Sequence, residues 1–165
     1  MEAYFDNSAT TIVTDSVKDI VVKTMTEDFG NPSAMHMVGV KAEKYIKEAQ
    51  ENIAKILKVD PKEIFFTSGG TESNNMAIIG TAMANKRKGN KIITTSVEHS
   101  SVLATMKYLE EQGFEVIYLP VDRYGVVQME ALEKEMTEDT ILVSTMYVNN
   151  EVGAIEPVGE IGQYI

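Results

Sequence analysis

KIITTSVEHSSVLATMKYLEEQGFEVIYL, residues 91–119, reads as strand, helix and strand in immediate succession. Lys91–Thr95 and Glu115–Leu119 are short, apolar-rich runs of strand length. Ser100–Gln112 between them reads as a helix ended by Gly113. The same alternation continues on both sides. Upstream, Glu63–Thr67 is expected to be a strand and Thr71–Asn85 a helix. Downstream come a helix over Met129–Met136, a strand over Ile141–Val148 and the start of a further helix at Val158–Ile165. Runs such as IFF, KIIT and ILVSTMYV lack polar alternation, as expected of strands covered on both faces. Strand–helix–strand repetition with short loops specifies an α/β fold, a mostly parallel sheet with flanking helices and right-handed crossovers.

Ahead of this pattern, residues 3–13 are expected to be extended and turn-like. Asp15 then serves as N-cap of a helix to about Met25, with Val17, Ile20, Val21 and Met25 on one face. Phe29–Ser33 breaks the chain, and Ser33 can cap a long helix over residues 34–58. There is no internal repeat, low-complexity tract or interdomain linker. The last segment, VGEIGQYI, starts a helix and stops within its second turn, as expected of a chain cut from a longer one.

Composition narrows the function classes. The 165 residues are 44% hydrophobic and 24% charged, ordinary for a globular protein, with 25 acidic against 15 basic residues and a net charge of −10. That balance argues against a nucleic-acid partner, and the one basic cluster, Lys86-Arg87-Lys88, complements a helix C-terminus. There is no cysteine, so disulfides, thiolate metal sites and a cysteine nucleophile are excluded within these residues, and no metal site is expected. The ten methionines suit core filling. No apolar run approaches a membrane span and the N-terminus has no signal-peptide pattern, so no membrane partner and a cytoplasmic location are expected.

Three strand ends carry polar groups. In FFTSGGTESNN, residues 65–75, apolar residues run into a glycine turn that opens a helix. Gly69, Gly70 and Thr71 can turn N–H groups towards a phosphate, with the Thr71 and Ser73 hydroxyls beside them. No Lys follows the glycines, so this is not a P-loop, and a simple capped turn is the alternative. His99 follows the strand at residues 91–95 and is either a ligand-facing histidine or a helix cap. Asn149-Asn150-Glu151 follows the strand at 141–148, where the amides either meet a ligand oxygen or cap a turn. Strand C-termini in a parallel sheet share one rim, the usual place for a ligand.

YFDNSATT, GNPSAMH, FFTSGGTESNN, TTSVEHSSV and STMYVNNEVGAI, in this order and across nearly the whole chain, resemble the amino-terminal half of the cysteine desulfurases. These are class V, fold-type-I enzymes dependent on pyridoxal 5′-phosphate (PLP). The resemblance implies a segment, residues 1–14, near the substrate pocket, and a partial PLP-dependent transferase large domain over 15–165. It implies that Gly70 and Thr71 hold the PLP phosphate, that His99 stacks on the ring and moves protons, and that Asn150 bonds the phenolic oxygen. Ala9, Thr10, Thr11 and Asn31 would border the substrate pocket, with His36 nearby.

The activity so implied removes sulfur from L-cysteine, leaving alanine and an enzyme persulfide for iron–sulfur clusters or thio-cofactors. A homodimer and a sulfur-acceptor scaffold protein are the implied partners. In the family a lysine, an aspartate and a loop cysteine complete the machinery, and this sequence ends before all three. The isolated chain is therefore expected to be inactive and to associate with itself or with a missing half. Other class V enzymes, a selenocysteine lyase or an aminotransferase, and a non-catalytic half that binds PLP or a partner are the alternatives.

Overall fold

In the computed structural model, which describes residues 3–165, the chain divides into two units, Met1–Phe66 and Thr67–Ile165. The second holds a parallel sheet with strand order β2-β1-β3. Central β1 (Lys91–Thr95) pairs with β2 (Glu115–Leu119) on one side and β3 (Thr140–Ser144) on the other. All five residues of β1 are buried.

Successive strand side chains point to opposite faces, so Ile92 and Ile93 open onto two separate cores. Ile92 packs with Ile78 and Ala82 of α3 (Gly70–Asn85), with Val102, Met106 and Leu109 of α4 (Ser100–Glu111), and with Phe114. Ile93 packs with Leu119, Val127, Leu132 of α5 (Met129–Glu135) and Ile161 of α6 (Val158–Tyr164). This double cover is why the KIIT run shows no polar alternation. Burying each isoleucine contributes about 1.5–3 kcal/mol. Lys91, buried at the strand's start, donates from Nζ to the Glu135 carbonyl at 3.1 Å and lies 3.5 Å from the Glu135 carboxylate.

Two strand boundaries differ from expectation. Glu63–Thr67 is not a strand: Pro61–Glu63 is a 3-10 turn with a capping box from Asp60, and residues 64–67 run on without a ladder partner among the described residues. Extended backbone becomes a strand only when a neighbour takes its N–H and C=O groups. Phe65 and Phe66 are accordingly exposed. The sheet thus has three strands among the described residues, where the sequence suggested four. β3 also stops at Ser144, short of Val148, because Val148 pairs antiparallel with Ile155 in the following loop.

In the first unit α1 (Asp15–Thr26) has Thr14, not Asp15, as N-cap, and Asp15 pairs with Lys18 at 2.6 Å. Helix α2 (Met37–Leu57) starts later than expected and is capped by His36, not Ser33. The reason is local: Asn31 Oδ1 accepts from the Ser33 amide and the Asn31 carbonyl from the Ala34 amide, so residues 31–34 are spent on a turn. That turn lies against Gly39, where a Cβ would come within 2.2 Å of the Ala34 carbonyl oxygen. Tyr45 of α2 donates to Asp28 at 2.6 Å. No residue of α1 is buried.

Candidate functional site

After β1 the chain enters α4 on the Ile92 face; the loop after β3 leads to α6 on the Ile93 face. Adjacent strands whose connections leave to opposite faces part at their carboxyl ends, and the crevice there is where open α/β sheets bind ligands. His99 follows β1 and Asn150 follows β3, so both belong to this rim.

His99 is the N-cap of α4, and its Nδ1 accepts from the Ser101 amide at 3.1 Å. The Ser101 hydroxyl lies 2.8 Å from the same nitrogen and accepts from Nδ2 of Asn74 in α3 at 2.9 Å. A backbone N–H can only donate, so Nδ1 is an acceptor and the proton of the neutral ring sits on Nε2. The capping histidine is therefore what the structure shows, and it leaves the Nε2 side available. The Asn74–Ser101 link, with Thr105 Oγ1 donating to Asn75 Oδ1 at 3.0 Å, brings the start of α3 to the same rim as the start of α4.

At the α3 start the amides of Gly69, Gly70 and Thr71 have no acceptor among the described residues, as the first turn of a helix requires. A Cβ added at Gly69 or Gly70 would meet nothing within 4 Å, so the turn opens onto free space. Glu72 folds back to accept from the Ser68 amide at 2.6 Å, and hydrogen bonds from Ser68 hold its carboxyl below the usual range. The Ser73 hydroxyl is engaged with Thr67 at 2.6 Å, so of the two hydroxyls expected here only that of Thr71 stays uncommitted. Three amides and one hydroxyl around open space fit a phosphate group.

The asparagine pair divides its labour. Buried Asn149 holds the turn: its Oδ1 accepts from the Glu151 and Val152 amides at 2.9 and 3.0 Å, and its Nδ2 donates to the Val97 carbonyl at 3.0 Å. Gly153 closes the loop at φ 72°, a left-handed conformation that suits glycine. Asn150 is exposed, and among the described residues its amide reaches only the neighbouring Glu151 carboxylate, at 2.8 Å.

Glu98 went unnoticed in the sequence. It is 7% exposed, and its Oε1 accepts from Thr95 Oγ1 and from the Met146 amide, both at 2.8 Å. Burial pushes its carboxyl up; those two donors oppose the shift, and nearby Glu156 reinforces it. The only signal was a carboxylate directly before the histidine at a strand end.

The remaining candidates lie in the first unit. The Ala9 and Thr10 amides donate to the Asp6 carbonyl at 3.2 and 3.3 Å, Asn31 makes the turn described above, and His36 Nδ1 caps α2 by accepting from the Gly39 amide at 3.3 Å. Thr11 is exposed.

The Aminotransferase class-V family model matches residues 3–165. The chain belongs to the class V aminotransferase family. Among curated relatives, this class V chain is 48% identical over 162 residues to cysteine desulfurase IscS 1 of Archaeoglobus fulgidus, covering 98% of this chain and 42% of that protein. It is 51% identical over 160 residues to cysteine desulfurase IscS of Methanosarcina thermophila, covering 97% and 40%. Among solved structures, a NifS-like protein superposes with a TM-score of 0.93 at 48% identity, over 99% of this chain and 45% of that one. SspA in complex with cysteine gives 0.90 at 39% identity, over 97% and 46%. The class V chain thus spans less than half the length of these relatives.

Proposed function

We propose that Gly70, Thr71, His99 and Asn150 hold pyridoxal 5′-phosphate, and that these residues form the cofactor-holding part of a cysteine desulfurase. The observation that carries this reading is the open amide cradle at the α3 start, linked through Asn74 and Ser101 to His99, with Asn150 on the same rim. The names of the relatives support it. When bound, PLP supplies an electron sink for bond-breaking next to the substrate's amino group.

The protein groups have separate tasks. Gly70 and Thr71 neutralise the phosphate by N–H donation, helped by the helix dipole. His99, with Nδ1 engaged, offers a flat ring face and an N–H at Nε2 from which a proton can be passed. Asn150 gives one N–H of its side-chain amide to Glu151 and has the second to donate to the cofactor's phenolic oxygen. The substrate is L-cysteine, in keeping with a solved relative described in complex with cysteine. None of the 165 residues is a cysteine, so the thiol that accepts the sulfur comes from outside them, and these residues alone bind without turning over. Residues 1–14, with Asn31 and His36, border the substrate pocket, and residues 15–165 belong to the large domain. The reading extends to a cytoplasmic homodimer that hands sulfur to an acceptor protein for iron–sulfur clusters or thio-cofactors.

Equilibrium dialysis of the chain with PLP tests this. Thr71→Ala should weaken binding about tenfold, roughly 1.4 kcal/mol, and inorganic phosphate should compete. Unchanged affinity in Thr71→Ala together with no competition would overturn the reading.

A further inference from the structure

We infer that Glu98 is a positioning residue: together with Asn149 it clamps the loop after β1 to the loop after β3, so that His99 and Asn150 face a shared ligand in a fixed relation. This rests on the cofactor reading above. The two loops have the same design. Each carries a buried polar residue directly before an exposed one, Glu98 before His99 and Asn149 before Asn150. Neighbouring residues of extended or turning backbone point apart, so the inward member can brace while the outward one stays free.

The braces are reciprocal. Glu98 reaches from the β1 loop to the Met146 amide beyond β3, at 2.8 Å. Asn149 reaches from the β3 loop back to the Val97 carbonyl, one residue before Glu98, at 3.0 Å. Glu98 also takes the Thr95 hydroxyl at the last residue of β1, and Asn149 takes two amides of its own turn. Each brace is thereby anchored locally before it crosses, Glu98 on the end of β1 and Asn149 on its own turn. The crossing falls at the point where β1 and β3 send their connections to opposite faces. There the sheet's ladder has ended, and among the described residues no backbone hydrogen bond joins the two loops. A buried carboxylate is costly to keep without a cation, and no lysine or arginine contributes to the environment of Glu98 among the described residues. Neither Glu98 nor Asn149 bonds to residues 68–71, so the phosphate turn stands independently of the clamp.

That independence makes a test. In the 165-residue chain, Glu98→Met keeps the length of the side chain and removes the acceptor. It should weaken PLP binding about tenfold while leaving inorganic phosphate affinity within about twofold. Glu98→Gln keeps Oε1 and should restore PLP affinity to within about twofold of wild type. Equal loss of both ligands in Glu98→Met, or no loss of either, overturns the clamp. If Glu98→Met does not fold, Thr95→Val removes one of the two donors to the same oxygen and should show the same selective loss, about threefold. If the wild-type chain takes up no PLP, the cofactor reading fails by itself. The clamp is then judged by hydrogen exchange: faster exchange of the Met146 amide and of residues 149–152 in Glu98→Met, reversed in Glu98→Gln, supports it, and unchanged exchange overturns it.

Discussion

Glu98 carries its carboxyl into a site that favours the neutral form. Desolvation raises its pKa above the ordinary glutamate value of 4.5, the Met146 amide and the Thr95 hydroxyl pull it back, and Glu156 pushes it further up. For an acid whose folded-state pKa is raised, the associated stability is complete below the unfolded-state value. It is lost as pH rises through the folded-state value. Wild type should therefore lose stability as pH climbs from about 4.5 through the raised value. Glu98→Gln keeps the Oε1 acceptor and deletes the titration. It should be flat over that interval and more stable than wild type at neutral pH. Urea midpoints for both chains between acid and neutral pH check this; parallel profiles would mean that Glu98 does not titrate differently on folding. His99 and the Gly70–Thr71 turn could be picked out in the sequence because each opens a helix, and Asn150 because it is one of a pair of amides in the loop after β3. Glu98 and Asn149 were not, because their partners lie 48 and 52 positions away and are chosen by the strand order.

Among the elements, those that satisfy themselves locally were readable and those that depend on a distant partner were not. β1, α4 and β2 follow one another directly, and their sequence boundaries match the structure within a residue. The apolar run through Val148 suggested a longer β3, but the chain turns after Ser144 and spends Val148 on Ile155. Residues 64–67 have strand-like composition and no ladder, since composition records a preference for extended backbone and not the presence of a neighbour. The histidine caps of α2 and α4 escaped notice or stayed ambiguous because Ser, Thr, Asp and Asn are the residues whose capping is read from sequence. This contrast predicts hydrogen-exchange behaviour. Amides of β1, paired on both sides and buried, should exchange on the slowest timescale of the chain, whereas those of residues 64–67 should exchange within seconds at neutral pH. Peptide-level mass spectrometry resolves the two segments. Protection of 64–67 comparable with that of β1 would show that the segment is paired in solution, with another chain or with itself.

At the scale of the molecule, the sheet of the second unit ends on β2 at one edge and on β3 at the other. Among the described residues β3 is paired only to β1, so its outer edge offers unpaired N–H and C=O groups. Beside that edge runs an open groove of about 440 Å³ lined by Ala77 and Ile78 of α3, Leu142 and Val143 of β3, and Val158 and Ile161 of α6. Within the first unit, Val17, Ile20, Val21 and Met25 of α1 are exposed as well. A free edge next to an apolar groove is a template for another strand. A net charge of −10 opposes association over longer distances but is screened within about a Debye length at physiological salt. The chain should therefore self-associate, more so as salt rises. Ala77 is exposed on its helix and borders the groove, so Ala77→Glu places a carboxylate there at little cost to folding. It should weaken association at least tenfold, about 1.4 kcal/mol, and bring the weight-average mass in sedimentation velocity towards the 18.3 kDa of one chain. If wild type sediments as a monomer at all concentrations, the edge is protected in solution. If Ala77→Glu associates as strongly as wild type, contact is made elsewhere, and the exposed face of α1 is the next surface to charge.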